Sequence, residues 1–269
     1  MSAKKIHLLT VVGTRPEIIR LSSIINRLNK SKSINHTLVH TGQNYDYNLN
    51  EVFFKDLKIS KPDIFLEAAS DSPSKTIGNI LIKIDSVFDD LKPDALLILG
   101  DTNSCLCAIA AKKKKIPIFH YEAGNRCFDQ RVPEETNRKI VDHIADINLT
   151  YSSIAKEYLL NEGLSPDRTI KIGSPMFEVL NSKKKSIDNS KIWKKLKLES
   201  GKYFLISCHR EENVDNEKNF KLLIESLNEL ANEYKLPIIF PIHPRTKKIY
   251  NKSKLKLDQL VNFIDPLGF

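Results

Sequence analysis

Cysteine is scarce in this chain, and its spacing excludes two common kinds of site. The 269 residues include cysteines only at positions 105, 107, 127 and 208. No two of them have the CxxC spacing of zinc sites or redox motifs, and two lie in predicted core elements. We therefore expect reduced, buried thiols, no metal site and a cytoplasmic protein.

Long apolar runs and glycine-rich turns are also scarce. No apolar stretch approaches the length of a membrane-spanning helix, and the run after Lys4 and Lys5 is too short for a signal peptide. The nine glycines form neither a dinucleotide-binding fingerprint nor a P-loop. The sequence thus predicts no membrane insertion and contains no motif for NAD or ATP.

Acidic residues are outnumbered by basic ones, which gives a formal net charge of +9. Much of the excess is diffuse lysine, as at 112–115 and 183–185, without interleaved aromatic residues. This pattern is typical of a solvated surface, so a nucleic-acid partner is disfavoured. A basic balance also suits a small polyanionic substrate such as a nucleotide.

The most informative stretch is a predicted βαβ unit that carries acidic side chains. Apolar runs at 95–99 and 116–119 predict buried parallel strands, and the alanine-rich segment 102–115 between them predicts a helix. Asp101 follows the first strand and Glu122 follows the second. Because the carboxyl ends of parallel strands meet at one edge, we expect both carboxylates where open α/β sheets bind ligands.

A further acidic segment, PEETNRK at 133–139, opens the next predicted helix. Glu134 and Arg138 lie four residues apart, so they share a helix face. Taken alone, this pair is explained as a solvated ion pair, and Asp101 alone is explained as a helix cap. Several carboxylates at one edge, with arginines between them, instead favour a catalytic site.

The segment GTRPE at 13–17, after the first predicted strand, has the features of an anion site. Thr14 and Glu17 have capping-box spacing, which predicts that a helix begins here. The leading glycine allows a tight turn, so the helix N-terminus points at the ligand edge. Arg15 and Arg20 add two cations, and together these features predict phosphate binding.

Predicted strands and helices alternate along the whole chain, which indicates an α/β fold with two Rossmann-like domains. The composition becomes polar and lysine-rich near residues 174–182, so we place the domains at 1–176 and 177–269. The second domain has three short predicted strands, at 203–207, 237–240 and 261–264. So small a sheet is marginal, and we expect this domain to be incomplete.

Six motifs occur in order along the chain: GTRPEIIR (13–20), TGQNYD (41–46), GDTNS (100–104), HYEAGNR (120–126), PEETNRK (133–139) and SCHREEN (207–213). Together they resemble the non-hydrolysing UDP-N-acetylglucosamine 2-epimerase family. The segment 125–139 resembles the branch that makes UDP-N-acetyl-L-fucosamine for surface polysaccharide. The resemblance implies a glycosyltransferase-B-like fold and a homodimer. Family members continue past residue 269, through a loop that holds the nucleotide.

The resemblance also implies roles for particular residues. The acidic catalytic positions and a histidine of the second domain correspond to Asp101, Glu122, Glu134 and His209. The substrate-binding positions correspond to Arg15, Arg20, Arg138 and Arg210, and Arg20 replaces the family's usual lysine. In some bacterial members a second UDP-sugar binds as an activator, at positions that correspond to Gln43 and His243.

The implied reaction inverts C2 of a UDP-2-acetamido sugar without a cofactor. The C1–O bond to UDP breaks while C2 loses its proton, and a 2-acetamidoglycal forms. UDP then adds back, and the proton is delivered to the other face of C2. Cations must hold the diphosphate, and an acid and a base must flank C2. A retaining glycosyltransferase of the same architecture and a non-catalytic fragment are the alternatives.

Overall fold

A computed structural model describes residues 4–43, 53–208, 216–242, 244–265 and 267. The contacts between residues divide the chain into two compact units, 1–184 and 185–268. This division and the boundary predicted after residue 176 both fall at the helix Met176–Asp188.

The first unit is built on a parallel sheet, which has seven strands within the described ranges. In sheet order the strands are Ile64–Phe65 (β3), Ile34–His40 (β2), Ile6–Val12 (β1), Ala95–Leu99 (β4), Ile118–Ala123 (β5), Ile147–Thr150 (β6) and Thr169–Lys171 (β7). The chain order reverses between β1 and β4. In doubly wound sheets ligands bind at this switch point, beyond the carboxyl ends of the two strands.

Helices cover the first sheet, and an apolar cluster lies on each of its faces. The helices are Arg15–Leu28 (α1), Pro73–Leu91 (α2), Cys107–Lys113 (α3), Pro133–Ile144 (α4), Ser153–Asn161 (α5) and Met176–Asp188 (α6). Leu96 and Ile98 of β4 belong to one cluster, whereas Leu97 and Leu99 belong to the other. β4 is apolar throughout because alternate side chains enter opposite faces of the core.

The second unit is a smaller α/β unit whose parallel strands have the order β10-β9-β8. Its elements are Ile192–Lys195 (α7), Phe204–Leu205 (β8), Glu217–Tyr234 (α8), Ile238–Pro241 (β9), Pro244–Lys252 (α9) and Val261–Ile264 (β10). Leu227 of α8 packs with Phe240 and Val261 in its core. The predicted α/β class with two Rossmann-like units is confirmed. None of the described helices is both long enough and apolar enough to span a bilayer.

Two predicted elements differ from those in the structure. The predicted helix 102–115 begins as a 3-10 turn at Asn103–Leu106 and continues as α3. The predicted strand 116–119 instead runs to Ala123, so Glu122 lies within β5 and not after it. The strand contains a bulge at this point, where its pairing register with β6 shifts.

A buried polar network lies beneath the carboxyl edge of the sheet. His120 donates a hydrogen bond from Nε2 to the Gly100 carbonyl (2.8 Å), and its Nδ1 lies 3.0 Å from Asp142. Asp142 also accepts hydrogen bonds from Arg126 at 2.7 Å and from the Gly124 amide at 3.2 Å. Burial lowers the pKa of His120, but Asp142 and the carbonyl outweigh burial and raise it above 6.5. The hydrogen bond from His120 to the Gly100 carbonyl anchors the turn before residue 101.

We predict that His120→Gln destabilises the protein more near pH 6 than near pH 9. Because the folded-state pKa of His120 is raised, its contribution is complete below about 6.5 and is lost as pH rises through the folded value. The pKa of Asp142 is lowered from 3.8, so its own contribution is lost only as pH falls below that value. We expect a loss of about 3 kcal/mol near pH 6 in urea unfolding.

The test uses the difference in stability between wild type and His120→Gln, because a second histidine also makes stability depend on pH. Burial lowers the pKa of His40 to about 4. His40 therefore contributes the opposite pH dependence, which the difference between wild type and His120→Gln cancels. An equal loss of stability at both pH values would contradict the protonated His120–Asp142 pair.

We also predict that Gly13→Ala is destabilising. A Cβ atom at Gly13 would lie 1.9 Å from the Ser104 hydroxyl and 2.3 Å from the Thr41 hydroxyl, which bond to each other at 2.7 Å. We expect a loss of about 1–3 kcal/mol from overpacking, measured by thermal or urea unfolding. The matched control is Gly78→Ala in α2, where a Cβ meets nothing within 4 Å. Gly78→Ala should raise the free energy of unfolding by about 0.5–1 kcal/mol. A loss of stability equal to that of Gly13→Ala would contradict the predicted clash.

Candidate active site

The site is built on two loops at the switch point, which one buried carboxylate joins. Glu17 is 1% exposed. One of its oxygens accepts the amides of Gly13 at 2.8 Å and Thr14 at 2.6 Å, and the other accepts the Thr102 hydroxyl at 2.7 Å. Burial raises the pKa of Glu17, and these hydrogen bonds oppose that rise. The loop after β1 is thereby fixed to the loop after β4.

The predicted phosphate site at the start of α1 is only partly free. Glu17 already accepts the amides of Gly13 and Thr14, so these two donors are engaged within the protein. Arg15 lies in the first turn of α1, is exposed, and stacks over the Phe53 ring at 5.3 Å. Arg15 is thus the accessible charge at this helix end.

Asp101 lies beside the N-terminal part of α4. Its carboxylate accepts a hydrogen bond from Nε of Arg138 at 2.7 Å, and its backbone carbonyl accepts one from Asn137 at 2.8 Å. Arg138 also donates to Glu135 at 2.8 Å. These contacts join Asp101 to a helix that the sequence predicted to carry part of the site.

Glu135 is the functional candidate that sequence reasoning missed. It is fully buried, and it accepts the amides of Cys127 and Phe128 as well as the Arg138 guanidinium. Burial acts to raise the pKa of Glu135, but these donors outweigh it and lower the pKa to about 2. Spacings of three and four residues both place a carboxylate near Arg138, so the sequence could not separate Glu135 from its neighbour.

Glu134, the residue that was predicted, is exposed. Across the ranges that the structure describes, it forms no ion pair, and Arg138 binds Asp101 and Glu135 instead. Glu134 and Arg138 are four residues apart on α4, but they do not form the ion pair that this spacing allows. A catalytic role for Glu134 stays a prediction.

Glu122 lies in the bulge of β5 with a left-handed backbone, at φ +64°. Its side chain is 14% exposed and accepts hydrogen bonds from Arg20 at 2.5 Å and from Asn125 at 3.3 Å. Burial raises the pKa of Glu122, Arg20 opposes this, and the charge of Asp101 adds to it. Leu99 of β4 pairs with Tyr121 of β5, so Asp101 and Glu122 both lie just beyond this pair at the same edge of the sheet. A left-handed glutamate is the kind of backbone outlier that collects at functional sites.

The other predicted residues have different outcomes. Arg20, expected to hold a diphosphate, is bound to Glu122 here. Gln43 accepts hydrogen bonds from the Ser104 amide at 2.9 Å and from its hydroxyl at 2.7 Å, so it joins the loop after β2 to the 3-10 turn. The remaining predictions lie outside the described residues: His209, Arg210 and His243.

The thiols and the acidic groups show no metal-binding arrangement. Among the residues that the structure describes, no three or more His, Cys, Asp or Glu side chains are placed to hold a metal ion. All four cysteines are free. Cys105 and Cys107 are buried, and burial raises the pKa of both thiols. The acid–base groups at the edge are thus carboxylates paired with arginines.

Comparison with known proteins places this chain in a family. The family model described as UDP-N-acetylglucosamine 2-epimerase matches residues 26–269. A UDP-N-acetylglucosamine 2-epimerase of Methanococcus maripaludis is 38% identical, over 96% of this chain and 72% of that protein.

Solved structures agree with this match. UDP-N-acetylglucosamine 2-epimerase from Rickettsia bellii is 50% identical with a TM-score of 0.86, covering 98% of this chain and 70% of that one. Methanocaldococcus jannaschii UDP-GlcNAc 2-epimerase, solved in complex with UDP-GlcNAc and UDP, is 36% identical with a TM-score of 0.88 and covers 98% and 74%. The chain therefore belongs to the UDP-N-acetylglucosamine 2-epimerase family.

Proposed function

We propose that this chain inverts C2 of a UDP-2-acetamido sugar by eliminating UDP and adding it back. The observation that carries the proposal is the pair Asp101 and Glu122, which lie just beyond the paired residues of neighbouring strands at one sheet edge and are each bound to an arginine. Family membership supports the reaction class, and the M. jannaschii relative with UDP-GlcNAc and UDP supports the substrate class.

The reaction requires a proton to leave C2 and later to return to the opposite face. Glu122 suits such a role because burial raises its pKa, which makes the carboxyl group a stronger proton acceptor. Asp101, with Arg138 as its partner, is the second acid–base candidate.

The leaving diphosphate requires positive charge, which α1 supplies. Breaking the C1–O bond places negative charge on UDP, and Arg15 in the first turn of α1 is the exposed cation there. Arg20 lies further along the same helix but is bound to Glu122. If Arg20 turns to the diphosphate, Glu122 loses the cation that opposes its raised pKa, and the carboxyl group then favours the protonated form.

The finer parts of the function are proposed on the resemblance of the motifs. The substrate is UDP-N-acetylglucosamine, interconverted with UDP-N-acetylmannosamine, or the 2-acetamido-2,6-dideoxy-L-talose sugar that gives UDP-N-acetyl-L-fucosamine. The product supplies surface polysaccharide. The homodimer, the cytoplasmic location and the roles of Glu134, His209 and Arg210 stay predictions.

We predict that Asp101→Asn and Glu122→Gln each abolish exchange of the C2 proton. Each substitution keeps the shape of the side chain but removes its ability to accept a proton, and the loss of one acid–base group lowers a rate by about 10²–10⁴-fold. The measurement is deuterium uptake at C2 when a UDP-2-acetamido sugar is incubated in deuterated water, followed by NMR. Binding of the UDP-sugar should persist in both variants.

The matched control for these variants is Glu157→Gln, which removes an exposed carboxylate from α5. Deuterium uptake should be unchanged by this substitution. Exchange at the wild-type rate in both Asp101→Asn and Glu122→Gln would overturn the assignment of the acid–base pair.

Two measurements separate the proposed epimerase from the alternatives: the reaction product distinguishes it from a retaining glycosyltransferase, and UDP binding distinguishes it from a non-catalytic chain. Incubation with the UDP-sugar alone should give a new UDP-sugar, because a transferase needs an acceptor and releases UDP. Added UDP should raise the midpoint of thermal unfolding, since a ligand at 100 times its Kd stabilises by about 2.7 kcal/mol. A midpoint of thermal unfolding that is unchanged by UDP would favour the non-catalytic alternative.

A further inference from the structure

Tyr151 directly follows β6, at the same edge of the sheet as the proposed acid–base pair. Its hydroxyl is buried and meets no acceptor at full hydrogen-bond geometry within the described residues. Burial raises the pKa of Tyr151, and the charge of Glu122 adds to that rise. A buried donor without a partner needs an explanation, and the nearby carboxylate offers one.

The register of the sheet brings Glu122 and Tyr151 to neighbouring positions along β5 and β6. β5 and β6 pair Tyr121 with Leu149 and then Ala123 with Thr150, so Glu122 is the extra residue of the bulge. The bulge therefore places Glu122 opposite the end of β6, where Tyr151 follows. In a regular ladder, residue 122 would pair with Thr150 and residue 123 with Tyr151.

The carboxylate of Glu122 has room for another donor. One oxygen accepts the short 2.5 Å hydrogen bond from Arg20. Among the described residues, the other accepts only the side-chain amide of Asn125, at 3.3 Å. A carboxylate oxygen can accept two hydrogen bonds, so the second oxygen retains capacity that the Tyr151 hydroxyl can use.

We propose that Tyr151 is a positioning residue that donates a hydrogen bond to the Glu122 carboxylate and holds it at the edge of the sheet. The inference rests on the proposed function only in treating Glu122 as an acid–base group. Hydroxyl donation to the ionised carboxylate favours the ionised form. Within the described part of the chain, the ionisable groups that act on Glu122 are Arg20, Asp101, His120, Arg138 and Tyr151.

The test is an NMR titration of Glu122 in protein labelled at the glutamate carboxyl carbons. Glu122→Gln assigns the signal. In Tyr151→Phe, the midpoint of Glu122 should move upward, because the ionised form loses a donor while the ring and the packing remain. The control is Tyr158→Phe in α5, which removes the same atom from a tyrosine that packs against Phe128. It should leave the midpoint unchanged.

A second measurement needs no change at Tyr151. In wild-type protein labelled at tyrosine Cζ, the Tyr151 signal should shift with the Glu122 midpoint, and Glu122→Gln should remove that step. A Glu122 midpoint that is unchanged or lowered in Tyr151→Phe overturns the proposal, as does a Cζ signal that ignores the Glu122 titration. No UDP-sugar is present, so failure here is separate from failure of C2 exchange.

Discussion

The site depends on the hydrogen bonds that the buried Glu17 carboxylate accepts from the two switch-point loops. Arg15 lies two residues before Glu17 in the chain. Asp101 lies one residue before Thr102, whose hydroxyl donates a hydrogen bond to Glu17. The positions of the accessible cation and of a candidate acid are therefore set by one side chain that is buried from solvent. A buried carboxylate is tolerated here because several donors compensate for its loss of water.

The carboxylates of the site are neutralised from within the protein. Arg20 binds Glu122, and Arg138 binds both Asp101 and Glu135. Such pairs stabilise the structure only modestly, because desolvation offsets much of the attraction. Their value lies in exchange: a diphosphate that draws one arginine away changes the charge state that the neighbouring carboxylate prefers. In the proposed reaction, one guanidinium group would thereby couple substrate binding to proton affinity.

Much of this arrangement could be predicted from the sequence because it follows from strand order and local chemistry. The capping-box spacing of Thr14 and Glu17 fixed the start of α1, and the carboxylates after two apolar runs located the edge. The sequence could not show that β5 continues through Glu122, since a bulge with a left-handed residue has no local signature outside glycine. Nor could it rank Glu134 against Glu135, because burial decides between them and burial is a property of the tertiary fold.

The left-handed backbone of Glu122 has a consequence for how this chain would respond to selection. Holding a residue with a Cβ at φ +64° costs about 1–2 kcal/mol, which glycine would avoid. Glycine at this position would relax the backbone and delete the carboxylate in the same step. Directed evolution for heat resistance would therefore favour glycine at position 122, whereas directed evolution for turnover would favour glutamate.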